Sequence, residues 1–247
     1  MNDSVLLVIA HGSRDPRHAA TVHTLVRAVG VLRPGLRVET AFLDFNVPSV
    51  PAVLERLVAE GVREVVALPL LLTRAFHAKA DIPAVLREAP PSLRVRQAEV
   101  LGPSPLLLAA VERRLYEAGL TPADKGSTGV VLASAGSTDP EAIAVIAETA
   151  RELRRTGWCA VRPAFASASL PRTEDAVRAL RADGVRRVAV APYVIAPGRL
   201  PDRIAEGAAG ADVLADVLGP SPELARLLVE RYDEALGAER RPVAFTA

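Results

Sequence analysis

His11, Asp44 and His77 stand just past the ends of three successive apolar runs in the first half of this 247-residue chain. Two neutral imidazoles and one carboxylate are a borderline-soft donor set, suited to Fe²⁺, Co²⁺, Ni²⁺ or Zn²⁺, and so small a set leaves coordination positions open for exchange. His11 lies in Ala10-His11-Gly12-Ser13-Arg14-Asp15-Pro16, which reads as a strand-to-helix turn. Gly12 lets a ligand approach the backbone, and Asp15-Pro16 suits the N-cap and first position of a helix. An ordinary turn of this kind has no need of imidazole. His77 lies in Thr73-Arg74-Ala75-Phe76-His77-Ala78-Lys79-Ala80-Asp81-Ile82-Pro83. Alone, that segment reads equally well as a surface loop leading into a helix capped by Asp81. Its pairing with His11 makes it a ligand candidate.

Parallel strands joined by right-handed crossovers would bring such turns together, because every strand then ends on the same edge of the sheet. The sequence alternates short apolar runs with amphipathic stretches of helical period, the signature of βαβ units. Strands are predicted near 5–10, 36–43, 63–72 and 93–101, with helices near 16–32, 49–60, 80–89 and 104–118. A second set of strands follows near 129–134, 159–167, 186–195 and 212–218, with matching helices. Residues 119–128, rich in Gly, Pro and small polar types, read as a linker. The expected fold is α/β: two tandem flavodoxin-like, Rossmann-like halves, each a four-stranded parallel sheet flanked by helices, at 1–120 and 127–247. A strand order of 2-1-3-4 would place His11 and His77 on either side of the switch-point crevice where open α/β sheets bind ligands.

The two halves are a duplication. Val8–Pro16 aligns without a gap to Leu132–Pro140 at an offset of 124 residues. Ala41-Phe42, Pro48, Gly61 and Pro69 recur as Ala164-Phe165, Pro171, Gly184 and Pro192 at an offset of 123, and Leu101-Gly102-Pro103-Ser104-Pro105 recurs from Leu218 to Pro222. So long a period means a doubled domain rather than a solenoid. The second half is an internal control. Ala135, Ser167 and Leu200 occupy the places of His11, Asp44 and His77, while Gly136, Asp139, Pro140 and Pro171 are kept. The turns are needed in both halves and the polar trio in only one, which a purely structural role for the trio would not produce. The second half is then expected to supply one wall of a cleft.

Composition narrows the function further. Half of the residues are hydrophobic but few are aromatic, so the core is built from Val, Leu, Ala and Ile. A net charge of +1 gives no electrostatic basis for tracking nucleic acid. The single cysteine, Cys159, allows neither an internal disulfide nor a thiolate cluster, which fits a reducing cytoplasm. Apolar runs such as Val65–Leu72 are too short to cross a bilayer, and no membrane partner is expected.

The Ala10–Pro16 turn, the Phe42-Leu43-Asp44 strand end with Pro48 downstream, and the segment from Phe76-His77-Ala78-Lys79 to Asp81-Ile82-Pro83 resemble, in order, the sirohydrochlorin chelatase family. These are the cobalt and iron chelatases of cobalamin and sirohaem synthesis, with the class II chelatase fold, and the similarity covers essentially the whole chain. The resemblance implies two halves facing each other across a cleft that holds the tetrapyrrole, with His11 and His77 binding the incoming metal. It implies a lyase that inserts Fe²⁺ or Co²⁺ into sirohydrochlorin, the metal being a substrate, with Ni²⁺ accepted in vitro and no nucleotide used. Relatives commonly carry Glu where this chain has Asp44, an arm about one methylene longer. Direct ligation, action through water and proton acceptance all stay open for Asp44.

Ser13, Arg14, Arg74, Lys79 and Arg199 lie in predicted loops at the cleft edge, where they are expected to receive the carboxylates of sirohydrochlorin. His18 and His23, on the first helix, are expected to be solvated surface, and Trp158 and Cys159 to be packing. Because the duplication already makes a two-sided cleft, a monomer is expected, with a dimer as the alternative. Two other functions compete. A His-Gly pair after a first strand resembles the histidine phosphatases, but those carry an Arg immediately before the His, where this chain has Ala10. A non-catalytic carrier of metal or tetrapyrrole would retain its cargo without turnover.

Overall fold

The computed structural model describes residues 4–74 and 77–237, without the side chains of residues 77 and 78. The first half runs β1 (Val5–Ala10), α1 (Pro16–Leu32), β2 (Val38–Phe42), α2 (Val50–Ala59), β3 (Glu64–Pro69), a π-helical turn (His77–Asp81) leading into α3 (Ile82–Arg87), β4 (Arg94–Gln97) and α4 (Pro105–Glu117). A 3₁₀ turn at Pro122–Ser127 occupies the expected linker. The second half follows as β5 (Thr128–Ser134), α5 (Pro140–Arg155), β6 (Ala160–Phe165), α6 (Thr173–Ala182), β7 (Arg187–Tyr193), α7 (Arg199–Gly207), β8 (Val213–Leu214) and α8 (Pro222–Gly237).

The strands form two four-stranded parallel sheets, ordered β2-β1-β3-β4 and β6-β5-β7-β8. The duplication extends to register: Ala10 lies opposite Phe42 as Ser134 lies opposite Phe165, and Val8 opposite Leu68 as Leu132 opposite Ala191. Central strands of a parallel sheet are covered on both faces and therefore read as unbroken apolar runs. In β1, Leu6, Val8 and Ala10 face one core while Leu7 and Ile9 face another. β3, β4 and β8 are shorter than their apolar runs suggest. Leu70, Val100, Leu101 and Leu218 lie beyond the strand ends and stay buried, and the N–H groups of Leu70, Leu101 and Leu218 still donate to the carbonyls of Ile9, Leu71 and Val194.

Helix entry follows one rule in both halves. Asp15 caps α1 and Asp139 caps α5, each accepting a hydrogen bond from the N–H two residues on, with Pro as the first helical residue.

The helices do not stay with the sheet of their own half. α8 lies against α1 and β3 of the first half, while α4 lies against β7 and α5 of the second. The result is one large core that joins Leu6, Val8 and Val22 to Leu132, Ile146 and Tyr193. Polar anchors fix the exchange. The Tyr232 hydroxyl donates to the Ser4 carbonyl at 3.0 Å, Arg231 donates to the Val100 and Leu101 carbonyls, and Arg114 donates to the Leu218 carbonyl at 2.9 Å. Smaller cores on the outer faces belong to α2 with α3 and to α6 with α7.

Residues 1–120 expressed alone lack α8 and expose the sheet face it covers, so the fragment is expected to show no cooperative thermal transition. The full chain should unfold in one step, with the fluorescence of its single tryptophan, Trp158, following the same curve as far-ultraviolet circular dichroism. Trp158 is buried and its Nε1 donates to Glu112 of α4 at 3.1 Å. Two separated transitions would contradict the shared core. Across the same junction Glu223 accepts a forked pair of bonds from Arg113, which holds its carboxyl below the usual carboxylate range. A lowered carboxylate stabilises above its unfolded pKa and loses that contribution as pH falls through the folded value. Glu223→Gln should therefore cost about 1 kcal/mol at pH 7, discounted because Arg113 is partly solvated. The deficit should shrink in melts taken below about pH 4.

Candidate functional site

His11 is the first residue beyond β1, and Gly12 follows it with φ at +95°. A Cβ at Gly12 would sit 1.9 Å from the Asp44 carbonyl oxygen, so only glycine fits. The Asp44 N–H donates to the His11 carbonyl at 2.9 Å and the Ser13 N–H to Asn46 Oδ1 at 2.8 Å. The turns after β1 and β2 are thus stacked backbone on backbone. The second half repeats the device: Gly136 has φ at +94°, its Cβ would meet the Ser167 carbonyl at 1.9 Å, and the Ser167 N–H donates to Ala135 at 3.0 Å. The scaffold is the same and the imidazole is absent.

The strand-end edges of both sheets open onto a cavity of about 490 Å³, within the range of small-molecule sites. His11, Ser13 and His18 line it from the first half and Arg199 from the second. Between them lie Val22, Leu70, Ile143, Ile146 and Phe165, an apolar wall supplied by both halves. The side chain of His77 lies outside the described residues, as do Ala75 and Phe76. Its backbone opens the π-helical turn downstream of Thr73, which lines the cavity.

Asp44 is exposed and is not among the residues lining the cavity; its carboxylate accepts from the Phe45 N–H at 2.8 Å. Phe45 has φ at +61°, sparsely populated for a bulky residue, and presents its half-exposed ring 6.2 Å from the His11 ring. Arg14 stacks its guanidinium over Phe45 at 5.2 Å, at the rim rather than in the lining. Arg74 and Lys79 border a separate hollow of about 570 Å³. Arg74 pairs with Glu99 at 3.1 Å, and Lys79 bridges to the second half through Asp139 at 2.8 Å and Glu141 at 2.6 Å. Those carboxylates hold the Lys79 ammonium above its ordinary range. Among the described residues no three His, Cys, Asp or Glu side chains are clustered for a metal ion.

His18 corrects the expectation of a solvated surface. It is half-buried, lines the cavity, and has Nδ1 enclosed without a hydrogen-bond partner. Burial first, and then the nearby His11, push its pKa down, with Asp15 acting in opposition. The signal lay in the duplication, since the residue 124 positions on is Ala142, which lines the same cavity. His23 is exposed as expected, its ring set edge-on to Phe42 at 5.9 Å. Sequence reasoning also missed Ser134 and Tyr193, at the ends of β5 and β7. They stand at the places held by Ala10 and Leu70 in the first half, the Ser134 hydroxyl enclosed without a hydrogen-bond partner and the Tyr193 hydroxyl buried beside Thr149.

The arrangement has known counterparts. A sirohydrochlorin cobaltochelatase of Priestia megaterium is 29% identical over 251 residues, covering 95% of this chain and 80% of that protein. A sirohydrochlorin ferrochelatase of the same organism is 27% identical over 246 residues, covering 95% and 91%. Among solved structures, SirB from Bacillus subtilis with Fe³⁺ superposes with a TM-score of 0.82 at 24% identity, covering 96% of this chain and 98% of that one. The pattern of the CbiX family matches residues 5–118 and again residues 129–235, once for each sheet. The chain belongs to the CbiX family.

Proposed function

We propose that this chain is a sirohydrochlorin chelatase, a lyase that inserts Fe²⁺ or Co²⁺ into the macrocycle without a nucleotide. The observation that carries this reading is the cavity between two duplicated strand-end edges, apolar across its middle, with His11 on one side and only Ala135 at the matching place. The full-length likeness to relatives with this activity supports it. Both metals are represented among those relatives, and both are substrates in this proposal.

Insertion requires the ion to lose water, two pyrrole protons to leave, and the ring nitrogens to face the metal. Neutral imidazole is the ligating form, and a donor set limited to His11 and His77 holds an ion loosely enough to pass it on. The wall of Val22, Ile146 and Phe165 suits the apolar faces of a macrocycle. Arg199 in the lining, with Ser13 beside it and Arg14 at the rim, meets the carboxylates of the ring periphery. Arg74 and Lys79 sit farther out, where they serve carboxylates that overhang the cleft. Asp44, with its backbone on the His11 carbonyl and its side chain toward solvent, accepts the released protons and hands them to water.

His11→Ala and His77→Ala should each lower insertion at least about 100-fold, since even loss of a residue supporting a metal ligand costs 10–100-fold. The check is anaerobic absorbance after mixing with sirohydrochlorin and Fe²⁺ or Co²⁺, with melting temperature unchanged. Full activity in either variant contradicts the ligand assignment. A protein that keeps metal stoichiometrically and turns nothing over is instead a carrier. Asp44→Asn preserves an oxygen for the Phe45 N–H, so the turn should persist. Insertion should slow more than Co²⁺ binding weakens, and equal losses would make Asp44 chiefly a ligand.

A further inference from the structure

His18 is placed to touch the substrate. It sits in the first turn of α1, whose start is fixed by the Asp15 cap, with Val22 one turn further along the same wall of the cavity. Ala142, Ile143 and Ile146 of α5 line the same cavity, as does Arg199 at the start of α7. An enclosed ring nitrogen with no partner destabilises the fold by leaving a polar atom unsatisfied. A histidine kept for packing would be bonded, or replaced by an apolar residue, as the duplicate half has done with Ala142. Nδ1 is the enclosed nitrogen and has no acceptor for a proton, so the neutral ring carries its N–H on Nε2, the nitrogen left for a ligand.

Resting on the chelatase reading of the cleft, we propose that His18 Nε2–H donates a hydrogen bond to an unprotonated, imine-type ring nitrogen of the tetrapyrrole and so seats the macrocycle beside His11. The surroundings select this partner over a peripheral carboxylate. A carboxylate placed against Val22 and Ile146 would be desolvated by apolar side chains, whereas an imine-type ring nitrogen is a neutral acceptor matched to the N–H of a neutral imidazole. Burial and the proximity of His11 both favour that uncharged ring. The role is distinct from ligation, because it acts on the macrocycle before any metal arrives.

The test is anaerobic absorbance titration of metal-free sirohydrochlorin into the full chain, His18→Leu and His18→Gln, with Co²⁺ binding to each protein measured separately. His18→Leu should bind the free tetrapyrrole about tenfold more weakly, the effect of one lost hydrogen bond in an enclosed site. His18→Gln, which keeps an N–H donor, should stay within about threefold of the parent. Co²⁺ binding should be unchanged in both, and the melting temperature of His18→Leu should be equal or higher, since no native bond is lost. Parent-like binding by His18→Leu, equal weakening in both variants, or loss of Co²⁺ binding in His18→Leu would each overturn the role given to His18. If the parent protein itself fails to bind metal-free sirohydrochlorin, the chelatase reading falls and takes this inference with it.

Discussion

The cleft depends on the exchange of terminal helices. Had α4 and α8 each stayed on the sheet of their own half, the two halves would meet through surface contacts and move as separate bodies. With α8 on the first sheet and α4 on the second, a single packed core runs between them, and packed cores resist gradual deformation. The buried bond from Tyr232 to Ser4 joins the last helix to the residue immediately before β1. The strand-end edges carrying His11 and Arg199 are therefore set at a distance fixed by the core, and a site divided between two halves gains the preorganisation of one rigid body.

On that scaffold the two halves share their turns and differ in the side chains around them. Gly12 and Gly136 make the same forbidden approach to the carbonyl of the next turn, and Phe45 and Ala168 both lie at positive φ. Such positions tolerate little change, because the backbone itself would have to move. The side chains around them are free to differ, and they do so in one direction at the first turn: His11 against Ala135, His18 against Ala142, Asp44 against Ser167. The second half reverses the direction deeper in the cavity, where Ser134 and Tyr193 replace Ala10 and Leu70. The cleft is therefore asymmetric in chemistry while symmetric in backbone, which is what a ring that must receive a metal from one face requires.

The four-stranded parallel sheet of each half was legible in the sequence because central parallel strands must be apolar on both faces and because the repeat supplied each element twice. Helix starts were legible at Asp15-Pro16 and Asp139-Pro140, where capping chemistry is local. The exchange of α4 and α8 was not, since an amphipathic helix such as Pro105–Glu117 states that one face is buried and not against which sheet. His18 was hidden for a related reason. A histidine early in a helix has no local signature, and only its comparison with Ala142 separates a wall of the cavity from open surface. Arg74 sits in a loop as expected, whereas Lys79 belongs to the π-helical turn, and their partners, Asp139, Glu141 and Glu99, are tertiary facts that no window of sequence contains.

The rim obeys a different physics from the floor. Lys79 of the first half pairs with Asp139 and Glu141 at the start of α5, and Arg17 at the start of α1 pairs with Asp202 of α7. These are matching places in the duplication, with Lys79 and Asp202 related by one offset and Arg17 and Glu141 by the other, so the same bridge is built twice with its charges inverted. Exposed bridges of this kind contribute little to stability and are screened by salt. The inversion puts both cations, Lys79 and Arg17, on the first half and their carboxylate partners, Asp139, Glu141 and Asp202, on the second. The rigid core sets the distance between the two strand-end edges, and exposed pairs of this kind add little to it.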